Sequence, residues 1–512
     1  MLSKVFSFGL QGIEGYKLTI EVDISNGLPK FEIVGLGDTA IKESKERVKS
    51  AIKNSGLDYP LTNIVCNLAP ADRKKEGPIY DLGIAVAILS ATNQIDYKKI
   101  GKTIFLGELS LNGDVKKING VLPILIAAKE MGFVDFVIPQ DNYFEASFIS
   151  GINVCTVANL SEIYEAYNDE NAKLKQVVAS NFDQLKEQRL KTVSDMKNVK
   201  GQFSAKRALE IAAAGGHNIL MLGPPGSGKT MLAKCFPSIL PDMTFEEALE
   251  VTKIHSVAGE LDLNDGIILT RPFRTPHHTA TTVSLVGGGA SSKPGEISLA
   301  HNGVLFLDEM PEYTRHFIET LRQPLEDGQI TVARAKQTVT YPSSFILVAS
   351  MNPCPCGNYG SKTKECRCSP AQIHKYLSKL SGPIMDRIDL HVEVDNVTYD
   401  DLNSNIEAET SSQIKSRVNR AKEKQLERFK GSKVFSNAKM NSAQTKKYCA
   451  LDEECKNIMA LAFENLNLSA RAHDRILKVA RTIADLENEP NILPKHIAEA
   501  IQYRSLDRKY WA

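Results

Sequence analysis

Alternating and clustered apolar positions divide the chain into three kinds of territory. From residue 1 to about 165, period-two runs predict half-buried strands at Tyr16-Lys-Leu-Thr-Ile-Glu-Val22, Phe31-Glu-Ile-Val34 and Ile64-Val-Cys-Asn-Leu68. A helical run from Asp81 to Ser90 sits among them, which gives an α+β reading. Residues 166–195 are polar and rich in Lys, Glu, Gln and Asn, the composition of a linker or an exposed helix. Residues 196–395 alternate short apolar runs (Asn218–Leu222, Val304–Leu307, Phe345–Ser350) with helical stretches, as a parallel α/β sheet requires. From 396 to 512 the period is helical, with a charged amphipathic stretch over Gln413–Lys430. A stronger helix over Ala470–Leu486 stops before Glu489-Pro490. No internal repeat is present. The fold class is multidomain, α+β followed by a parallel-sheet α/β core and an all-helical C-terminal part.

The run Asn218–Leu222 delivers the chain into Gly223, Pro224, Pro225, Gly226, Ser227, Gly228, Lys229 and Thr230. This is the G-x-x-x-x-G-K-[S/T] phosphate loop without a mismatch. Glycines allow backbone N–H groups to close round a β-phosphate, Lys229 reaches the β/γ oxygens and Thr230 offers a hydroxyl to Mg²⁺. A helix expected over Met231–Phe236 adds the positive end of its dipole. The chain therefore binds a nucleoside triphosphate, with ATP and Mg²⁺ as the expected pair.

A second apolar strand, some 80 residues on, ends in Asp308-Glu309. Asp308 at such a strand end can hold Mg²⁺ through its waters, and Glu309 can polarise the attacking water. The third run ends at Asn352, where an amide either orients that water or caps a turn.

Charge excludes a global polyanion-binding surface, because 62 Lys and Arg offset 61 Asp and Glu. Any contact with nucleic acid must be local. The segment Gly328–Pro342 alternates β-branched and polar residues about Arg334-Ala-Lys336, the pattern of a β-hairpin with a basic tip. Two readings stand: a grip on a phosphate backbone, or a solvated tip that guards a sheet edge. The basic residues of Lys415–Lys430 are a further candidate for holding DNA, but they interleave with acids and read as a solvated helix face. The N-terminus lacks an uninterrupted apolar core for a signal peptide, and no run approaches a membrane span, so a cytoplasmic location is expected.

Four of the nine cysteines cluster, as Cys354-Pro-Cys356 and Cys366-Arg-Cys368. Four thiolates in a turn-rich segment suit tetrahedral Zn²⁺, although the C-x-C spacing is tighter than usual. A redox switch, a disulfide and plain thiols are the alternatives. The pair His277-His278 is expected to serve local hydrogen bonding rather than a metal. Glycines 287–289, followed by Pro294-Gly295, mark a loop insertion that is a candidate second pore element.

In order, the phosphate loop, the Asp-Glu strand, the Asn-tipped strand and the helical C-terminal part resemble an AAA+ ATPase. The motifs Arg271-Pro-Phe-Arg-Thr-Pro-His-His278, Pro294-Gly-Glu-Ile-Ser-Leu-Ala-His301 and Arg387-Ile-Asp-Leu390 narrow the likeness to the ComM/YifB family of magnesium-chelatase-like AAA+ ATPases. The likeness runs from Gly12-Ile-Glu-Gly15 to the C-terminal helices. It implies Walker B roles for Asp308 and Glu309, sensor 1 for Asn352, a trans-acting arginine finger at Arg387 and sensor 2 at Arg471. It also implies a homohexameric ring whose pore hairpin places Arg334 and Lys336 on DNA, single-stranded or branched. The expected function is a helicase that promotes branch migration during recombination of incoming DNA in natural transformation. The alternative is an ATPase that remodels a protein partner, as metal-inserting chelatases do.

Within residues 1–165, Glu76-Gly-Pro-Ile-Tyr-Asp-Leu-Gly-Ile-Ala85 resembles a Lon-protease-type domain with the fold of ribosomal protein S5 domain 2. A protease would need a serine directly after Gly77-Pro78 and a lysine base. Ile79 stands at the first position and the Gly120-Val-Leu-Pro-Ile-Leu segment lacks the second. The domain is expected to be proteolytically inactive and to bind or to build a ring.

Overall fold

A computed structural model describes residues 2–188, 194–262, 264–289, 292–334, 337–360, 364–396, 408–432, 434–466, 468–506 and 510. Its first part is one mixed eight-stranded sheet. The sheet opens with a long antiparallel pair, Leu2–Gln11 and Glu14–Ser25, in register from Leu2 opposite Asp23 to Gln11 opposite Glu14. Asn63–Ala69 and Lys30–Val34 extend it on one side. Ile104–Phe105, Asp135–Pro139, Asn153–Val157 and Lys175–Gln176 extend it on the other. Helix Asp81–Ala91 is apolar all round and buried along its whole length, so it is a core helix rather than an amphipathic one. The polar stretch expected as linker contains the last of these strands and a helix, Phe182–Gln188.

The second part is a five-stranded sheet in the order Phe273–Arg274, Val304–Leu307, Ile346–Met351, Ile219–Leu222 and Leu390–Glu393, all parallel. Alternation along the phosphate-loop strand splits two cores between its faces. Ile219 and Met221 join a core that includes Ile476 and Ile483 of the C-terminal helices. Leu220 and Leu222 join a second core with Leu305, Leu307 and Tyr341. The C-terminal helices thus share a core with the sheet and are not appended to it.

Helix Ala470–Leu486 has the predicted bounds. Ser469 accepts the Ala472 N–H as its N-cap, and the chain leaves through Asn488 at φ +66° ahead of Pro490. Three basic residues of helix Ser411–Arg428 are engaged in ion pairs, while Arg420 stays exposed. Arg417 pairs with Glu210 and Glu409, Arg428 with Asp485, and Lys415 with Asp242.

The two parts meet along helix Phe245–Ala258. The Ser256 hydroxyl accepts the Gly120 N–H at 3.0 Å and donates to the buried Glu145 carboxylate, which also accepts the Leu122 N–H at 2.9 Å. Burial pushes the Glu145 carboxyl above its ordinary range. A second contact places Gly12, in the turn of the first hairpin, against Val339 of the hairpin Gln329–Arg334/Gln337–Pro342.

Candidate nucleotide site and cysteine knuckle

Three neighbouring parallel strands end side by side, so their C-terminal tips bring chemistry from distant sequence to one edge, where open α/β sheets bind ligands. The phosphate-loop helix begins at Lys229, two residues earlier than periodicity placed it, and runs to Cys235. Gly228 caps it at φ +93°, a conformation that L side chains resist. Lys229 Nζ donates to the carbonyls of Gly223 and Pro224 at 2.7 and 2.8 Å and to Asn352 Oδ1 at 3.3 Å. Burial lowers the Lys229 pKa, while the charges of Asp308 and Glu309 act to raise it.

Thr230 Oγ1 donates to Asp308 Oδ2 at 2.8 Å, so the hydroxyl and the carboxylate can reach one cation together. The other Asp308 oxygen accepts a short hydrogen bond from the Ser350 hydroxyl. That same Oγ accepts the Glu309 N–H at 3.1 Å. Glu309 adopts the left-handed region, φ +51°, and its side chain is exposed. The turn after Asp308 is therefore held in a conformation that glutamate adopts only at a cost, of order 1–2 kcal/mol. Ser350 was not singled out in the sequence; its one signal was a hydroxyl at the end of an otherwise apolar strand.

The arginines separate by environment. Arg481 is buried and donates to the carbonyls of Glu489 and Pro490, so it closes the helix end. Arg475 makes a short ion pair with the buried Asp389, which also meets His217 Nδ1 at 3.1 Å. Burial raises the Asp389 pKa, but Arg475 and His217 outweigh it and hold the carboxyl far below its usual range. Arg471 is 64% exposed and reaches Asp386 at 3.6 Å. Arg387 is 11% exposed, with NH1 on the Pro383 carbonyl, NH2 on Glu326 and a buried Nε without a hydrogen-bond partner. Arg387 and Arg471 thus flank Asp386, and neither makes a described hydrogen bond to the phosphate loop of its own chain.

The hairpin forms with Arg334 opposite Gln337, while its tip residues Ala335 and Lys336 lie outside the described residues. Gly287–Gly288 pairs with Lys293–Pro294 as a small antiparallel ribbon. His277 bonds Thr279 at 2.8 Å, a local structural role. The motif arginines serve the frame: Arg274 joins Glu296 in a bidentate pair and Arg271 spans the Pro241 and Asn302 carbonyls.

Cys354, Cys356, Cys366 and Cys368 converge with their sulfurs all within 4.8 Å of one another. The separations are 3.4 Å for Cys354–Cys356, 3.7 Å for Cys354–Cys366 and 3.6 Å for Cys356–Cys366. A tetrahedral ion with Zn–S bonds of about 2.3 Å requires sulfurs about 3.8 Å apart, so the set fits such an ion. The backbone N–H groups of Asn358 and Arg367 bring the Cys356 thiol down to about 6. At Cys366 and Cys368 the backbone hydrogen bonds are outweighed by burial and the neighbouring thiols, which push both thiols up.

No helix among the described residues is long and apolar enough to cross a membrane. In the N-terminal domain Ile79 is buried, with a relative exposure of 9%, where a protease would present its nucleophile.

Three family models cover most of the chain. One described as magnesium chelatase subunit ChlI matches residues 195–402, a second ChlI model matches 20–142, and its C-terminal counterpart matches 408–504. The competence protein ComM of Haemophilus influenzae is 43% identical over 514 residues, covering 99% of this chain and 98% of that protein. The uncharacterized protein YifB of Escherichia coli is 41% identical over 508 residues, with 99% and 98% covered. A Lon protease from Aster yellows witches'-broom phytoplasma is 29% identical over 163 residues, which span 29% of this chain and 20% of that protein. The family carries the AAA+ type of ATPase chemistry, in keeping with the phosphate loop and the carboxylate pair at the sheet edge. The chain belongs to the ComM/YifB family of magnesium-chelatase-like proteins.

Proposed function

We propose that this chain is the subunit of a hexameric ring that spends ATP to move DNA. The observation that carries the reading is the meeting of Lys229, Thr230, Asp308 and Asn352 at one sheet edge in a chain alike over its full length to a competence protein. In this reading Thr230 and Asp308 hold Mg²⁺, which neutralises charge on the β- and γ-phosphates. Residues Gly223–Gly228 cradle the phosphates through their backbone. Lys229 leaves the Gly223 and Pro224 carbonyls for the β/γ oxygens. Glu309 polarises the attacking water and Asn352 orients it. Ser350 holds the Asp308 carboxylate and the Glu309 backbone, which fixes where the two acids point.

Arg387 completes a neighbouring subunit's site, and Arg471 follows nucleotide state from the opposite side of Asp386. Two features support this: both arginines lie beside Asp386, and Glu326, the partner of Arg387, is exposed. The hairpin tip, with Arg334 and Lys336, contacts the DNA backbone without reading sequence. Branch migration in recombination of incoming DNA is the proposed task, carried out in the cytoplasm. The N-terminal domain, residues 1–165 with the S5 domain 2 fold, acts as a non-proteolytic module beside the core at 196–395 and the helical lid at 396–512. The four cysteines hold a structural Zn²⁺; one equivalent per purified chain, retained until chelation, is the expected result.

ATP hydrolysis measured with no DNA, single-stranded DNA and forked DNA tests the motor. Strong stimulation that disappears when Arg334 and Lys336 are both changed to Glu is expected. Hydrolysis indifferent to all three conditions would remove the DNA reading and favour the protein-remodelling alternative.

A further inference from the structure

We propose that the cysteine knuckle is a positioning element of the nucleotide site, seating the phosphate loop through the contact of Gly357 with Pro225. The inference rests on the reading of residues 223–230 as a nucleotide site. The knuckle leaves the sheet directly after Asn352, and the strand end is already tied to the loop by the Gly223 N–H on the Met351 carbonyl at 3.2 Å. Its first turn is closed by the Gly357 N–H on the Cys354 carbonyl at 2.9 Å and by the Tyr359 N–H on Cys354 Sγ at 3.3 Å. This turn brings Gly357, at φ +79°, flat against the ring of Pro225. A Cβ added at Gly357 would lie 2.4 Å from Pro225 Cδ and 2.7 Å from Cγ, both far inside contact distance. On its other side the loop is equally confined, because a Cβ at Gly223 would lie 2.1 Å from the Val394 carbonyl oxygen. Gly226 and Gly228, by contrast, face open space.

The phosphate loop is thus gripped at Gly223 and Pro225 and left free where phosphate enters. A nest of backbone N–H groups binds an anion well only if its geometry is fixed beforehand. Pro224 and Pro225 fix two φ angles of the loop, but the glycines on either side leave its seat against the rest of the domain to outside contacts. The knuckle supplies one, and the knuckle is itself held by whatever unites four thiolates. Metal loading of the cysteines therefore sets affinity for nucleotide some way from the metal, with no metal contact to the phosphates.

The structure provides a matched control. Gly360 lies in the same knuckle at φ +78°, so alanine carries the same left-handed penalty there. Among the described residues its added Cβ would meet only Tyr510 Oη, at an ordinary 3.8 Å. The test is binding of a fluorescent ATP analogue to the full-length chain, alongside zinc content. Gly357→Ala is expected to weaken binding at least ~10-fold with zinc content unchanged, while Gly360→Ala stays within ~2-fold. Pro225→Ala removes Cγ and Cδ, after which the nearest remaining proline atom would be the backbone nitrogen at 3.7 Å. The double variant Gly357→Ala with Pro225→Ala should therefore recover most of the loss. Chelated wild-type protein should bind as weakly as Gly357→Ala and regain affinity on added Zn²⁺.

Equal effects of the two glycine substitutions, or an undiminished affinity after chelation, would overturn the proposal. Should Gly357→Ala not fold, the chelation arm decides. Wild-type protein without zinc would end the metal reading and the metal dependence together, and the glycine pair would then decide the contact alone. Wild-type protein that binds no nucleotide would end the nucleotide-site reading and this proposal together.

Discussion

Two junctions in this molecule are built alike and end differently. At each, a glycine- and proline-containing loop leads straight into a helix: Glu76-Gly-Pro-Ile-Tyr80 into Asp81–Ala91, and Gly223–Gly228 into Lys229–Cys235. In the first, polar groups are taken up by neighbouring elements. The Gly77 N–H is taken by Asp38 at 3.0 Å, and the buried Lys75 amine donates to the Pro70 carbonyl. Asp81 accepts Arg47 through both of its oxygens, at 2.7 and 3.2 Å, and the Leu109 N–H at 3.3 Å. Ile79 and Tyr80 fill the remaining space as core residues. In the second, Pro225 and Gly226 are exposed, Gly226 and Gly228 face open space, and Lys229 rests on carbonyls it can leave. The same loop-to-helix plan is packed into the core at the first junction and left partly open to solvent at the second.

The sharpest way to break the comparison is at the two charged anchors. Lys229→Ala is expected to cost about 10³-fold in nucleotide turnover, as the loss of a charge-stabilising donor does, with the thermal midpoint little changed. Steady-state hydrolysis and a melting curve check both halves. Asp81→Ala should do the reverse. It leaves Arg47 without its buried carboxylate, a loss of about 3–5 kcal/mol in stability, while affinity for nucleotide in the folded chain is preserved. Urea denaturation beside a nucleotide titration distinguishes the two. Glu309→Gln should reduce kcat by about 10²-fold with nucleotide affinity within a factor of three, since the side chain is exposed and its backbone is held by Ser350.

A smaller effect is expected where the two parts of the molecule join. Burial raises the Glu145 pKa in the folded chain, so its contribution is complete below the carboxyl's unfolded pKa. That contribution is lost as pH rises through the folded value. Hydrogen exchange in helix Val121–Glu130 should therefore quicken, relative to the intrinsic rate, as pH rises from acid towards neutral. Glu145→Gln should flatten that dependence. The smallest effect on activity is predicted for Ile79→Ser. The position is buried in the core, so casein should remain uncut; detectable cleavage would show that the first junction is a site after all.

The distribution of legible and illegible features follows from range. Helix Ala470–Leu486 was readable to the residue because an N-cap serine, a strong apolar face and a following proline are local signals. The hairpin was readable because its period is two and its turn is short. The phosphate-loop helix begins two residues before the periodicity, since Lys229 and Thr230 are polar and add nothing to an apolar period, while Gly228 caps the helix ahead of them. The ion pairs of Lys415, Arg417 and Arg428 are not legible in the helix itself because Asp242, Glu210 and Asp485 lie far away in sequence. Ser350 and the pairing of Gly357 with Pro225 were illegible for the same reason.

The amino-acid sequence alone determined the kind of chemistry, because a phosphate loop, a strand ending in two carboxylates and a quartet of cysteines are each defined within a few residues. It also determined that the first junction lacks a nucleophile, since Ile79 has no group to offer. Tertiary structure decided which charges are spent and which are free, separating Arg481 and Arg475 as ties from the exposed Arg471. It decided as well that Gly357, between the cysteines, lies against Pro225 of the phosphate loop. Parallel strands end at one edge whatever their distance along the chain, and only packing sets which side chains meet there.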